Sequence, residues 1–305
     1  MTAPGDRFAA GAASDGDQDP TASPAGSGAG QRSAGPQPPV ISLPKGGGAI
    51  RGIGEKFAAN PVTGTGSLTV PLATSPGRAG FGPSLQLTYD SGAGNGAFGF
   101  GFGLSLPAVT RKTDKGLPRY LEDPADTFLL SGSEDLVPVP GEPGRRRRDG
   151  RDYLVRAYRP RIEGLFARIE RWTDLDSAET QWRSVTTDNV TSVYGGSAAS
   201  RIVDPDDPVR VFSWLICETY DDTGNAMVYE YKAENEESVD VGSSHEAHRS
   251  TATRSANRYL KRIRYGNRTS RLIEPDLVRS GWLFQVVFDY GEHDPDAPSP
   301  VEVRP

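Results

Sequence analysis

"DSGAGNGAFGFGFGLSLP", Asp90–Pro107, holds glycines at 92, 94, 96, 99, 101 and 103, with Phe98, Phe100 and Phe102 in alternate gaps. A run of this kind reads as a phosphate-cradling loop, a linker, or bent β-structure, and the choice decides between an enzyme and a structural part. A dinucleotide loop needs a strand before it, a helix after it and an acidic residue about twenty positions on. The strand-like "SLQLTYD" (Ser84–Asp90) does precede, but Gly–Phe alternation and Pro107 follow, which is poor helix material. A Walker loop is absent, since no Gly-Lys-Ser/Thr occurs, and "GGGAIRG" (Gly46–Gly52) has no lysine in register. Glycine lets backbones approach closely and strands bend sharply. Alternate phenylalanines on such a ribbon would cover an apolar surface on one face. The stretch therefore reads as architecture.

The texture on either side agrees. In "SLQLTYD", Leu85, Leu87 and Tyr89 share one face, as a half-buried strand requires. "SLTVPL", "TFLLSG", "YLVRAY", "LFARIERW", "QWRSV" and "RYLKRIRYG" are further short runs rich in aromatic and β-branched residues, punctuated by Gly, Pro, Asp and Asn. In "WLFQVVFDY", Trp282, Phe284, Val286, Phe288 and Tyr290 point one way, and Gln285 and Asp289 the other. "RVFSWLICETY-DDTGN-AMVYEYKA" predicts a hairpin whose turn is Asp221–Asn225, with Gly224 and Asn225 suited to positive φ. No window carries a capped helical stripe. The fold class is all-β: mostly antiparallel short strands and hairpins.

Composition supports this and removes whole classes of function. The 305 residues include 36 Gly and 25 Pro, both above the roughly 7% and 5% of average usage. A net charge of −6 argues against a general nucleic-acid binder. One cysteine, Cys217, excludes an internal disulfide framework, and its place in "VFSWLIC" reads as a buried structural thiol. No stretch reaches the ~18–20 apolar residues of a membrane span. The start has neither a basic segment nor an apolar core, so a standard signal peptide is not expected. Residues 1–40 are Gly, Ala, Ser, Pro, Asp and Gln with almost nothing to bury, and read as a disordered leader ahead of a β domain over 41–305. "GRRRRDGRD" (Gly144–Asp152) interrupts the β pattern and reads as an exposed loop. The polar segment Glu234–Ser255 reads as a second, mobile loop between two strands.

Catalytic and metal signatures fall short one by one. Asp15, Asp17 and Asp19 alternate as in a calcium loop, but the turn glycine and distal Glu are missing. His245 and His248 are three apart, not the four of a zinc helix, and His293 is the third and last histidine. No G-x-S-x-G elbow occurs. Cys217, His245 and Glu236 are the best candidates for an unrecognised enzyme, with no spacing that unites them. Trp172, Trp182 and Trp214 could serve as stacking platforms for a carbohydrate- or surface-binding domain, but each lies in an alternating strand and is expected in the core. No catalytic, cofactor or metal residue is therefore assigned, and no small-molecule substrate is expected.

The long strings carry a resemblance that the short motifs do not. "ISLPKGGGAIRGIGEKFAANPVTGTGSLTVPLATSPGRAGFGPSLQLTYDSGAGNGAFGFGFGLSLP", "WRSVTTDNVTSVYG", "RIVDPDDPVRVFSWL", "YDDTGNAMVYEYKAEN", "ANRYLKRIRYGNR" and "FDYGEH" are similar to the Salmonella virulence plasmid B protein (SpvB) domain family, which begins the B component of bacterial Tc insecticidal toxin complexes. The likeness covers roughly Val40 to Asp294. It implies part of a hollow β-shell that encloses an unfolded cytotoxic cargo, with the C component and the A-component pore as partners. It also implies a virulence role outside the cell, reached from the cytoplasm by a non-standard route. "YDDTGNAMVYEY" resembles one YD-repeat (RHS-type) hairpin through Tyr220, Asp221 and Gly224. The family's propeller and RHS regions need many hundreds of residues beyond "VEVRP". The plasmid virulence protein also carries an ADP-ribosyltransferase, and this chain resembles the delivery part of such a protein. The transferase's Glu-x-Glu could be sought at Glu234–Glu236. Its Ser-Thr-Ser strand should come earlier, whereas "RST" (Arg249–Thr251) comes later.

Overall fold

Short alternating runs can bury their apolar faces only by pairing, and here the pairing closes on itself. The computed structural model describes residues 55–59, 64–121, 126–132, 134–164, 166–236 and 239–290. The expected leader, the Asp15/Asp17/Asp19 cluster and His293 lie outside these residues.

In chain order the strands are β1 (Lys56–Ala59), β2 (Gly66–Leu72), β3 (Leu85–Asp90), β4 (Asn95–Gly96), β5 (Gly99–Phe100), β6 (Phe102–Leu104), β7 (Ala108–Arg111), β8 (Phe128–Leu130) and β9 (Glu134–Pro138). There follow β10 (Gly144–Arg148), β11 (Arg151–Pro160), β12 (Arg168–Asp174), β13 (Thr180–Val185), β14 (Thr191–Tyr194) and β15 (Arg201–Asp204). The last four are β16 (Asp207–Tyr220), β17 (Ala226–Ala233), β18 (Arg258–Asn267) and β19 (Trp282–Val287). A single helical turn, α1 (Thr251–Ser255), precedes β18. Every pairing is antiparallel, as the hairpin-rich sequence predicts.

β7, β8, β9, β11, β12, β13, β14 and β16 form one ring, because β14 pairs back onto β16. Eight strands give a barrel just wide enough for side chains to fill it. Val109, Phe128, Ile169, Trp182 and Trp214 do so, each essentially inaccessible to solvent. Trp182 lies 4.9 Å from the Phe128 ring and 4.8 Å from Tyr158, and Trp214 closes the cluster 5.8 Å from Phe128. The Trp214 indole N–H donates to the Thr180 carbonyl at 2.9 Å. β16 is 14 residues long and serves a second structure: it pairs with β17, from which β18 and β19 continue outward as an open ladder.

β1, β2, β3 and β6 make a separate small sheet, whose Leu72, Leu85 and Leu104 pack onto the same core. The opening stretch links the two sheets, and one detail departs from the sequence reading. Gly99 and Gly101 adopt positive φ (103° and 79°), so period-two alternation breaks and the three phenylalanines part company. Phe98 packs on Phe288 and Tyr290, Phe102 lies 4.9 Å from the Tyr89 ring, and Phe100 faces solvent. A Cβ on Gly101 would stand 2.6 Å from the Tyr89 ring, which shows why glycine is needed there.

One expected loop is corrected. "GRRRRDGRD" is the hairpin β10–β11, turned by Asp149 and Gly150, both at positive φ (50° and 80°). Four arginines are compatible with a strand here because β10 is an edge, where alternate side chains and one row of backbone groups meet water. Glu234–Ser255 lies between β17 and β18, as the loop expected there, and its described residues include α1.

Candidate functional site

The residues singled out for chemistry do not converge. Cys217 is buried in β16. Its Sγ accepts the Gly196 N–H and points at the Val193 carbonyl, and burial pushes the thiol up to about 11, so it is neutral and unreactive at physiological pH. His245 and His248 sit on exposed turns. Among the described residues no group of three His, Cys, Asp or Glu is arranged to hold a metal. Trp182 and Trp214 are in the core as expected. Trp172 is buried, but outside the main core: its ring lies on the outer wall, 4.8 Å from the Arg183 guanidinium and 5.9 Å from that of Arg146, with its N–H donating to Glu170 at 3.0 Å. None of the three is open for a sugar to stack on.

The Glu-x-Glu and Arg-Ser-Thr segments, separate in sequence, do come together. Arg249 donates to Glu234 at 2.6 Å and Thr251 to Glu236 at 2.7 Å. Arg254, almost wholly buried, bridges Glu236 and Glu246. The Arg254 hydrogen bond holds the Glu246 carboxyl below its usual range, with Arg249 adding to the effect. Each carboxylate is thus engaged by a neighbour within the loop. These contacts cross-link the described parts of the loop, 234–236 and 239–257.

The most elaborate polar construction is the predicted hairpin turn. Asp221 accepts hydrogen bonds from the Thr223 N–H (3.0 Å) and hydroxyl (2.8 Å), and from the Asn225 N–H (2.9 Å) and side-chain amide (2.7 Å). Partial burial would raise its pKa, but these donors outweigh burial and hold the carboxyl below its usual range. Gly224 (φ 89°) touches the loop after β18, where a Cβ would stand 2.0 Å from the Ser270 hydroxyl. Its carbonyl accepts from the Asn267 amide and the Arg271 N–H, both at 2.9 Å. Asn267, fully buried, also accepts the Ala226 N–H at 2.9 Å. The Arg271 guanidinium stacks 3.7 Å from the Tyr220 ring centre, and Arg148 of β10 reaches the Tyr220 hydroxyl at 3.4 Å. Tyr220, Asp221 and Gly224 therefore form a clamp that locks the first hairpin of the open ladder to the second. The sequence shows the turn; it does not show Asn267, Ser270 and Arg271, which lie more than forty residues away.

Beyond the clamp, β19 is paired, among the described residues, on one side only, with β18. Leu283 of this strand is exposed, as are Leu272, Ile273 and Val278 of the connection that leads into it. Arg264, Trp282, Phe284 and Gln285 line a shallow cavity of about 290 Å³ on the same strand. A strand edge left unpaired presents a row of backbone groups that can template another strand.

Comparison with known proteins agrees with this geometry. The family model described as Salmonella virulence plasmid 65kDa B protein matches residues 60–305. Mono(ADP-ribosyl)transferase SpvB of Salmonella choleraesuis (strain SC-B67) is 35% identical over 273 residues, covering 84% of this chain and 44% of that protein. The same protein of Salmonella typhimurium is 35% identical over 272 residues with the same coverage. The chain thus spans under half the length of these curated relatives. Among solved structures, the N-terminal domain of effector protein SpvB from Salmonella typhimurium strain LT2 aligns with TM-score 0.67 at 35% identity, covering 75% of each chain. TcdB2-TccC3 without its hypervariable C-terminal region gives TM-score 0.70 at 35% identity, covering 85% of this chain and 12% of that one. The Photorhabdus luminescens Tc holotoxin pore gives 0.69 at 34%, again covering 12% of the larger chain. These likenesses support a toxin-related domain.

Proposed function

Because the chain belongs to the Salmonella virulence plasmid 65kDa B protein family, we propose that it is a non-catalytic wall and delivery domain, built into a larger β-shell that encloses a cytotoxic cargo. The observation that carries this reading is the open ladder. β16–β17–β18–β19 leaves a closed barrel and ends, among the described residues, at a strand with no outer partner and with Leu283 exposed. Strand addition at that edge would extend the wall, with the Tyr220–Asp221–Gly224 clamp as the first RHS-type unit. The likeness to TcdB2-TccC3 and to the holotoxin pore supports a C component and an A-component pore as partners, and action outside the producing cell. Grafting this chain in place of the matching segment of TcdB2 tests it. The graft should co-purify with TccC3 and shield it from added protease. A graft that folds but leaves TccC3 unbound or digested overturns the reading.

A second reading is favoured by the transferase relatives, of which this chain covers 44%: the domain delivers an ADP-ribosylating partner domain whose active site lies elsewhere. Both readings expect the chain alone to transfer no ADP-ribose from NAD to protein. Transfer by the purified chain, abolished by Glu236→Gln, would displace both.

A further inference from the structure

The four-arginine hairpin is the feature that the wall reading leaves unused. β10 pairs with β11 alone, so one of its edges is bare among the described residues. The hairpin closes on Arg148 opposite Arg151 across a two-residue turn. In a two-residue hairpin the pair flanking the turn exchanges backbone hydrogen bonds, and the pattern alternates from there. Arg146 therefore turns its backbone groups toward β11, while Arg145 and Arg147 turn theirs outward to the bare edge.

The side chains divide the same way. Arg146 and Arg148 are engaged: Arg146 lies near Trp172 and 3.5 Å from Glu170, and Arg148 reaches Tyr220 and Asp149. They anchor the strand to the barrel wall. Arg145 and Arg147 are exposed and have no ion-pair or hydrogen-bond partner among the described residues. Beside the start of the strand is a cavity of about 210 Å³ with a mixed lining, in which Val139, Val155 and Ala157 stand beside the charged Glu142, Arg146 and Glu170. An outward backbone ladder is what β-strand addition uses, and two free guanidinium forks beside it supply the selectivity. The charges choose the occupant. Arginine forks match carboxylates, and a second β10 from another copy would set arginine against arginine. Stacking on nucleic-acid bases would need open rings, whereas Trp172 lies buried under Arg146 and Arg183.

We propose that the outer edge of β10 docks an acidic, extended polypeptide, which pairs its backbone with Arg145 and Arg147 and its carboxylates with their guanidinium groups. The probe is a fluorescein-labelled peptide of alternating Glu and Val, compared with a Lys–Val peptide, a single-stranded oligonucleotide and polyphosphate, by anisotropy at low and high salt. The acidic peptide should bind and the Lys–Val peptide should not. Its Kd should rise about tenfold or more in the Arg145→Gln/Arg147→Gln variant. Arg147→Pro, which removes one outward N–H and leaves the β11 pairing intact, should weaken binding well beyond Arg147→Gln. In hydrogen exchange the Arg145 and Arg147 amides should gain at least about tenfold protection with peptide. Unchanged exchange at these two amides, equal binding by the two arginine-to-glutamine positions and wild type, or oligonucleotide or polyphosphate binding as tightly as the peptide would each overturn the proposal. All variants lie on an exposed edge, and thermal melts matching wild type are the control that they remain folded.

Discussion

Asp221 is a single carboxylate with four short hydrogen bonds, and it shows what one residue contributes to this fold. Asp221→Asn keeps the size but removes the charge and one acceptor. It should cost about 1–3 kcal/mol at pH 7, read from urea denaturation. The sign of its pH dependence follows from its depressed pKa. The stabilisation is complete above the unfolded-state value of about 3.9 and is lost as pH falls through the folded value. Wild type and Asp221→Asn should therefore converge in acid and differ at neutral pH; a constant difference down to the acid limb would contradict this account. Cys217 makes a complementary point. A buried thiol raised to about 11 should react with a maleimide about a hundredfold more slowly in the folded protein than in denaturant. Ready labelling of the native chain would show that β16 opens where the structure has it closed.

At the level of elements, the glycine-rich link and the 234–257 loop separate what the sequence discloses from what it cannot. The link's role as bent β-structure was legible in Gly–Phe alternation. The fate of each phenylalanine was not, because Gly99 and Gly101 reset the face through their φ angles, and φ is not written in composition. Gly101→Ala should destabilise by about 2 kcal/mol or more, since its Cβ would strike Tyr89 at a positive φ. Gly94→Ala, with open space around it, should change stability by under about 0.5 kcal/mol. The two hairpins were read from opposite signals. "DDTGN" announced its turn, whereas four arginines concealed β10, because charge patterning reports solvent and an edge strand shares that solvent. The loop reads as mobile because its residues are polar, and the structure adds that those polar residues meet one another: Arg254 binds Glu246 and Glu236. Arg254→Ala should release the loop and speed its cleavage by trypsin about tenfold, with little change in the far-ultraviolet spectrum. A loop that stays resistant would mean that α1 and the backbone suffice to hold it.

For the molecule as a whole, the antiparallel β class was visible in period-two runs, and the ring was not. Ring closure depends on β14 returning to β16, a pairing between segments about 25 residues apart in which neither strand has any special composition. The same applies to the candidate site: Tyr220, Asp221 and Gly224 could be read, while the partners that turn them into a clamp could not. Because β16 belongs to both ring and ladder, Ile216→Ala, in its buried centre, should lower the stability of both together by about 2–5 kcal/mol. Calorimetry should show one transition whose measured and van't Hoff enthalpies agree. Two resolved transitions would mean that ladder and ring melt independently.

The packed interior of the ring has a further meaning for transport. With Phe128, Trp182 and Trp214 interlocked across its middle, the lumen is a rivet and no polypeptide can be threaded through it. Under the proposed delivery role, a passenger would therefore have to travel alongside the ring and not through it.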